Sequence, residues 1–155
     1  GDPYGNGFET SDLQEAIKLA TPLMTEPAKF RARGPAGLDE LASLPQVDSS
    51  RLAVIGYCMG GTFSLELARD GAPVKGVVSF HGNLATQSPA EPGKTKGKVL
   101  VCHGAEDPFV PQDVVNAFEK EMTEAGVGDS FPAITNANGC PAMAVTATSL
   151  ICGIS

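Results

Sequence analysis

Arg51-Leu-Ala-Val-Ile-Gly-Tyr-Cys-Met-Gly-Gly61 decides the fold. The run is apolar, is entered from the turn-forming Asp48-Ser49-Ser50, and leaves through glycine, which suits a strand over Arg51–Tyr57 buried on both faces. Gly60 to Arg69 follows as a helix carrying Phe63, Leu65 and Leu67. Working outward, Val74–Phe80 and Lys98–Cys102 read as the next strands, and Pro111–Ala125 as the clearest helix, with Asp113 in its first turn and Val115, Phe118 and Met122 on one face. Strands alternating with helices at these spacings predict a parallel α/β sheet with right-handed crossovers.

Upstream, Ser11 and Gln14 have the form of a capping box, and Leu13, Ala16, Ile17 and Ala20 recur at helical spacing. The pattern predicts a helix over Asp12–Ala20 that Pro22 stops. A second helix is expected over Ala28–Leu44, kinked or divided at Gly34-Pro35 and ended by Pro45.

The chain has 155 residues, 42% hydrophobic and 19% charged, enough for one globular domain of ordinary size. Eleven basic residues against eighteen acidic give a net charge of -7 without a Lys/Arg cluster, so neither nucleic acid nor an anionic membrane surface is an expected partner. No run approaches the roughly 18 apolar residues of a membrane span, and no signal segment opens the chain. A cytoplasmic protein is the expectation. The chain starts at Gly1 rather than Met, which reads as a fragment or a processed product. Cys58, Cys102, Cys140 and Cys152 lack zinc-ligand spacing and read as reduced thiols.

Chemistry concentrates at Gly56-Tyr57-Cys58-Met59-Gly60-Gly61, after a strand and before a helix. That is the context of a nucleophile elbow, with Cys where Ser is commoner. Its glycines allow a strained turn whose neighbouring backbones pack without a Cβ between them. Cys58 is then raised over a helix N-terminus that favours thiolate, and the Met59 N–H is a natural oxyanion donor. Rival glycine readings fail: a Walker A loop needs Lys at position 61, and the spacing is not Gly-x-Gly-x-x-Gly. The bland alternative is a small buried cysteine in a tight turn.

A second motif, Val101-Cys-His-Gly-Ala-Glu-Asp-Pro-Phe-Val-Pro111, places Asp107 in a polar turn after a strand, where the nucleophile-then-acid chain order of an α/β-hydrolase puts its acid. A helix-flanking turn carboxylate is the alternative reading of Asp107.

Together with Val77-Val-Ser-Phe-His-Gly-Asn83, these segments resemble the dienelactone hydrolase family of α/β-hydrolases, from about the N-terminus to Gly126 and most strongly over Asp48–Pro111. The resemblance implies a partial α/β-hydrolase fold, and hydrolysis of a small-molecule carboxylic ester or lactone through a Cys, His, Asp triad. Dienelactone is the name-giving substrate, the activity of a carboxymethylenebutenolidase. No metal or organic cofactor is implied. Cys58 and Asp107 are the expected catalytic residues, with the Met59 N–H in the oxyanion hole.

The family's base follows its acid, whereas His81 and His103 both precede Asp107, and neither is expected to serve. From Ser130 to Ser155 there is no charged residue. The expectation is a partial hydrolase domain over 1–128, short at its N-terminus, and an atypical uncharged tail over 129–155 of the kind a frameshift produces. The short N-terminal region supplies no candidate for a second oxyanion donor. A non-catalytic α/β module keeping the scaffold is the alternative function.

Overall fold

The computed structural model describes residues 6–104, 107–127 and the backbone of 132–135. Two helices come first, α1 (Leu13–Thr25) and α2 (Pro27–Ser43). After a 3-10 turn at Ser49–Arg51 come β1 (Ala53–Tyr57), α3 (Met59–Asp70), β2 (Gly76–Phe80), β3 (Lys98–Gly104), α4 (Gln112–Glu124) and β4 (Pro132–Thr135). The strands form one parallel sheet in the order β1-β2-β3-β4.

The first two helices depart from the sequence expectation. Asp12 rather than Ser11 caps α1, its Oδ1 accepting the Glu15 N–H at 2.8 Å, while the Thr10 hydroxyl donates to Glu15 Oε2 at 2.7 Å. Helix α1 runs through Pro22 to Thr25. Proline costs one bond, that to the carbonyl of exposed Lys18, and burial of Leu23, the next residue, offsets the loss. Helix α2 likewise continues through Gly34-Pro35. Gly34 is buried where a Cβ would collide with the Leu67 side chain, so glycine here sets how closely α2 approaches α3.

The turn before β1 is held by Asp48, whose Oδ1 accepts from the Ser50 hydroxyl at 2.6 Å and the Ser50 amide at 2.9 Å. Those two bonds hold the Asp48 carboxyl below its ordinary pKa. Strand β1 was expected to be buried on both faces, and it is not. Among the described residues it lies at the sheet edge with only β2 beside it, and Ile55 and Tyr57 are 52% and 65% exposed. Strands β2 and β3, flanked on both sides, carry the buried run Val77, Val78, Ser79 and Val99 through His103. Strand β4 lies beyond the loss of charge, where the sequence predicted no strand; its register sets Cys102 against Ala133 and His103 against Ile134.

Strands laid down in sequential order with right-handed crossovers put α3 and α4 on one face of the sheet. The main core fills that face: Leu65, Leu67 and Ala68 of α3 meet Val77, Val99 and Val101 of the sheet and Val115, Phe118 and Met122 of α4. On the other face Val78, Leu100 and Cys102 form a second cluster with Phe80, which Tyr57 overlies in a stacked pair 4.6 Å apart.

A fully buried Arg69 ties the layers together. Its Nε and Nη2 donate to the two carboxylate oxygens of Glu121 at 2.8 and 2.9 Å, Nη1 to Glu66 Oε1 at 2.9 Å, and Nη2 also to the Leu84 carbonyl at 2.7 Å. Arg31 of α2 takes the other Glu66 oxygen at 2.8 Å and the Ser88 carbonyl at 2.6 Å, and Glu121 accepts the Ala90 amide at 2.8 Å. Three helices and the 84–90 segment are thereby joined through two carboxylates and two guanidinium groups. Arg69→Leu would leave Glu66 and Glu121 short of their buried partner, a loss of about 3–5 kcal/mol. Urea denaturation should show a correspondingly lower midpoint, with an unchanged slope.

Candidate active site

Position 56 admits only glycine. A Cβ there would run into the Gly60 carbonyl and the Ser64 hydroxyl, so the end of β1 lies directly against the first turn of α3. With no residues to spare between strand and helix, Cys58 makes the whole turn and adopts φ 55°, ψ −121°. Side-chain-bearing residues avoid that region at a cost of roughly 1–3 kcal/mol. The conformation is held by the Cys58 N–H, which donates to the Phe80 carbonyl at 2.9 Å, and by its own carbonyl, which accepts the Thr62 N–H at 3.2 Å.

Cys58 is exposed and occupies the N-cap of α3, whereas Cys102 is buried in the second core cluster, as expected for an inert thiol. Met59 is the first residue of α3. Its amide belongs to the helix's first turn, whose N–H groups have no intrahelical acceptor. A thiol at this position meets the positive end of the helix dipole, and the same amides face any negative charge that develops beside it.

Asp107 lies beyond the C-terminal end of β3. Its amide donates to the Gly104 carbonyl at 3.1 Å, its carbonyl accepts the Val110 N–H at 3.2 Å, and its Oδ1 accepts the Phe109 N–H at 2.9 Å. The carboxylate is thus oriented by its own turn, and its side chain keeps 20% exposure. Cys58 and Asp107 sit at the same edge of the sheet, at the ends of β1 and β3. With β2 between, these strands run about 10 Å apart. Ligand sites of parallel α/β sheets lie at that carboxyl edge.

The two histidines separate sharply. His81 leaves β2 one position beyond the Tyr57–Phe80 pairing, opposite Cys58, is exposed, and has φ 42° with its N–H on the Cys102 carbonyl at 2.8 Å. His103 is buried, with ring Nε2 3.1 Å from the Val110 carbonyl and Nδ1 3.9 Å from Asp107 Oδ2. Sequence reasoning placed both near the carboxyl edge and missed these backbone roles. The sequence carries no local signal for the His103–Val110 contact, which forms only when the turn folds back on β3. Cys140 and Cys152 lie outside the described residues. Among the described residues no group of three His, Cys, Asp or Glu side chains is placed to hold a metal ion, and no helix is long and apolar enough to cross a membrane.

Residues 1–137 match the model of the dienelactone hydrolase family. The chain belongs to that family. The match extends past Gly126, where the resemblance in the sequence faded, and takes in β4. Among solved dienelactone hydrolase relatives, m3DLH is 40% identical at a TM-score of 0.78, with 86% of this chain and 55% of that one covered. The dienelactone hydrolase-like promiscuous phosphotriesterase P91 from metagenomic libraries is 36% identical at a TM-score of 0.75, covering 88% of this chain and 56% of that one. Of the curated relatives, the uncharacterized protein K02A2.1 of Caenorhabditis elegans is 38% identical over 101 residues, 61% of each chain. The probable 2-oxo-3-(5-oxofuran-2-ylidene)propanoate lactonase of a Bradyrhizobium species is 28% identical over 123 residues, 73% of this chain and 49% of that protein. The chain therefore spans between about half and three-fifths of the length of these relatives.

Replacing Cys58 by glycine removes the conformational penalty at φ 55° and retains a residue suited to an N-cap. Cys58→Gly should be more stable than the parent by about 1 kcal/mol in urea denaturation.

Proposed function

We propose that this chain carries the nucleophile and acid of a hydrolase acting on small carboxylic esters or lactones. Cys58 is the nucleophile, the Met59 N–H an oxyanion donor, and Asp107 the carboxylate that orients the base. The observation that carries the reading is Cys58 itself: an exposed thiol in a left-handed conformation at the head of α3, with Gly56 leaving no gentler route from strand to helix. A merely structural cysteine gains nothing from such a conformation. The lactonase among the relatives and the hydrolase family model support ester or lactone chemistry.

In the proposed reaction the Cys58 thiol loses its proton to a base and its Sγ bonds to the carbonyl carbon of the substrate. The carbonyl oxygen takes up the electron pair beside the Met59 N–H, then returns it as the carbon–oxygen bond to the leaving group breaks. The alkoxide leaves with the proton. Water, deprotonated by the same base, attacks the thioester and restores the thiol and a free carboxylic acid. In a lactone the leaving alkoxide and the acyl group are one molecule, so ring opening tethers both to Cys58 until water arrives. His103 is not assigned as the base, since its ring is committed to the Val110 carbonyl, and His81 is not assigned to that role either.

Incubation with p-nitrophenyl acetate followed by peptide mass analysis tests the assignment. Acetylation should fall on Cys58, ahead of the other three cysteines, and nitrophenolate release should drop at least tenfold in Cys58→Ala. Equal acetylation of Cys58 and Cys140, or release unchanged in Cys58→Ala, would remove Cys58 from the role and leave the non-catalytic module as the better account.

A further inference from the structure

We propose that His103 is a positioning residue for Asp107, its imidazole pinning the turn that presents the carboxylate; the inference rests on the catalytic role given to Asp107 above. The ring's base is rigid. His103 lies within β3, and its backbone is in register with Ile134 of β4. The preceding Cys102 carbonyl holds the His81 amide at 2.8 Å. From that fixed point the ring reaches seven residues ahead, to the Val110 carbonyl at 3.1 Å. A carbonyl only accepts, so the nitrogen facing it, Nε2, must carry a proton.

The position of Val110 explains why the bond matters. Val110 is buried and immediately precedes Pro111, the N-cap of α4, so its carbonyl lies one residue outside the helix, whose first amides bond to the Pro111 carbonyl instead. A buried carbonyl without a donor costs about 1–3 kcal/mol, and the imidazole supplies the donor. Between the two ends of this bond lies Asp107. Its main chain is tied back to Gly104 and forward to Val110, its Oδ1 takes the Phe109 amide, and its Oδ2 lies 3.9 Å from His103 Nδ1. The ring thus closes the turn at its far end and forms a wall beside the second carboxylate oxygen. Movement of Val110 away from β3 would carry Phe109 and its amide with it, and so turn the carboxylate. Catalytic carboxylates have to be held to within about half an ångström, and a turn with Phe109 88% exposed at its tip gets little such support from packing.

The test uses the full chain and does not depend on turnover. Long-range proton–nitrogen spectra of the histidine rings should show His103 Nε2 as a protonated nitrogen. Two variants then separate positioning from packing. His103→Leu fills the site without a donor, while the side-chain amide of His103→Gln places an N–H close to where Nε2 stands. In His103→Leu the Val110 amide should exchange about tenfold faster, the change expected for one lost hydrogen bond. The Phe109 amide resonance should move as its bond to the carboxylate loosens, while the amides of Val99 and Val101 keep their protection. His103→Gln should restore the Val110 rate to within about threefold of the parent. An unprotonated Nε2, a leucine variant indistinguishable from the parent at 109 and 110, a glutamine variant that behaves like leucine, or loss of protection throughout β3 would each overturn the proposal. Failure of Cys58 to acylate with these results intact would remove the proposed function and leave the brace as a property of the turn.

Discussion

Everything at the carboxyl edge of the sheet depends on the contact between position 56 and the Gly60 carbonyl. Because no Cβ fits there, β1 and α3 meet without a connecting loop, and the one residue between them must turn the chain by itself. That residue is Cys58. Its strained conformation, its exposure and its place at the positive end of a helix are three consequences of one steric fact. The strain is sustained because both backbone groups of Cys58 are bonded, to β2 on one side and to the first turn of α3 on the other. Among the described strands β1 is the sheet edge, so the turn is held from β2 on one side and from α3 on the other.

What anchors α3 is electrostatic as much as apolar. Leu65, Leu67 and Ala68 pack on the sheet, and Arg69, one turn further along, links α3 to α4 and to the 84–90 segment. A guanidinium this deeply buried is tolerable only with its donors satisfied, and two carboxylates and a carbonyl meet that demand while Phe118 lies under the charge at 5.5 Å. Helix α4 is thereby fixed against α3 at one end, and at the other it begins beside Val110, where the His103 ring holds the Asp107 turn. Cys58 and Asp107, the proposed nucleophile and acid, thus stand in the turns that lead into two helices joined through a shared core.

The parts of this arrangement written in local chemistry were legible in the sequence. Glycine spacing around Cys58 marked the elbow, and the turn residues after Cys102 marked the Asp107 loop. Alternation of β-type runs with helical stripes also predicted the parallel sheet. Features decided by distant contacts were not legible. Pro22 and Pro35 argued for breaks in α1 and α2, but burial of Leu23 and the close approach of Gly34 to Leu67 outweighed one missing hydrogen bond apiece. An apolar run states that a strand can be buried, not which neighbours it has, so the exposed face of β1 at Ile55 and Tyr57 could not be read. Strand β4 is short, begins with proline and lies where charge patterning ends. The Arg69–Glu121 pair, 52 residues apart, has no signature in either segment alone.

The central claim is that the turn at Cys58 presents a nucleophile, and the rate of its alkylation relative to the other cysteines measures that most directly. Iodoacetamide labelling of the full chain, followed peptide by peptide over time at neutral pH, yields a separate rate for each reactive cysteine. The account predicts that Cys58 is alkylated at least tenfold faster than any other cysteine, while Cys102 stays unlabelled until the protein unfolds. A Cys58 rate no greater than those of Cys140 and Cys152 would contradict it.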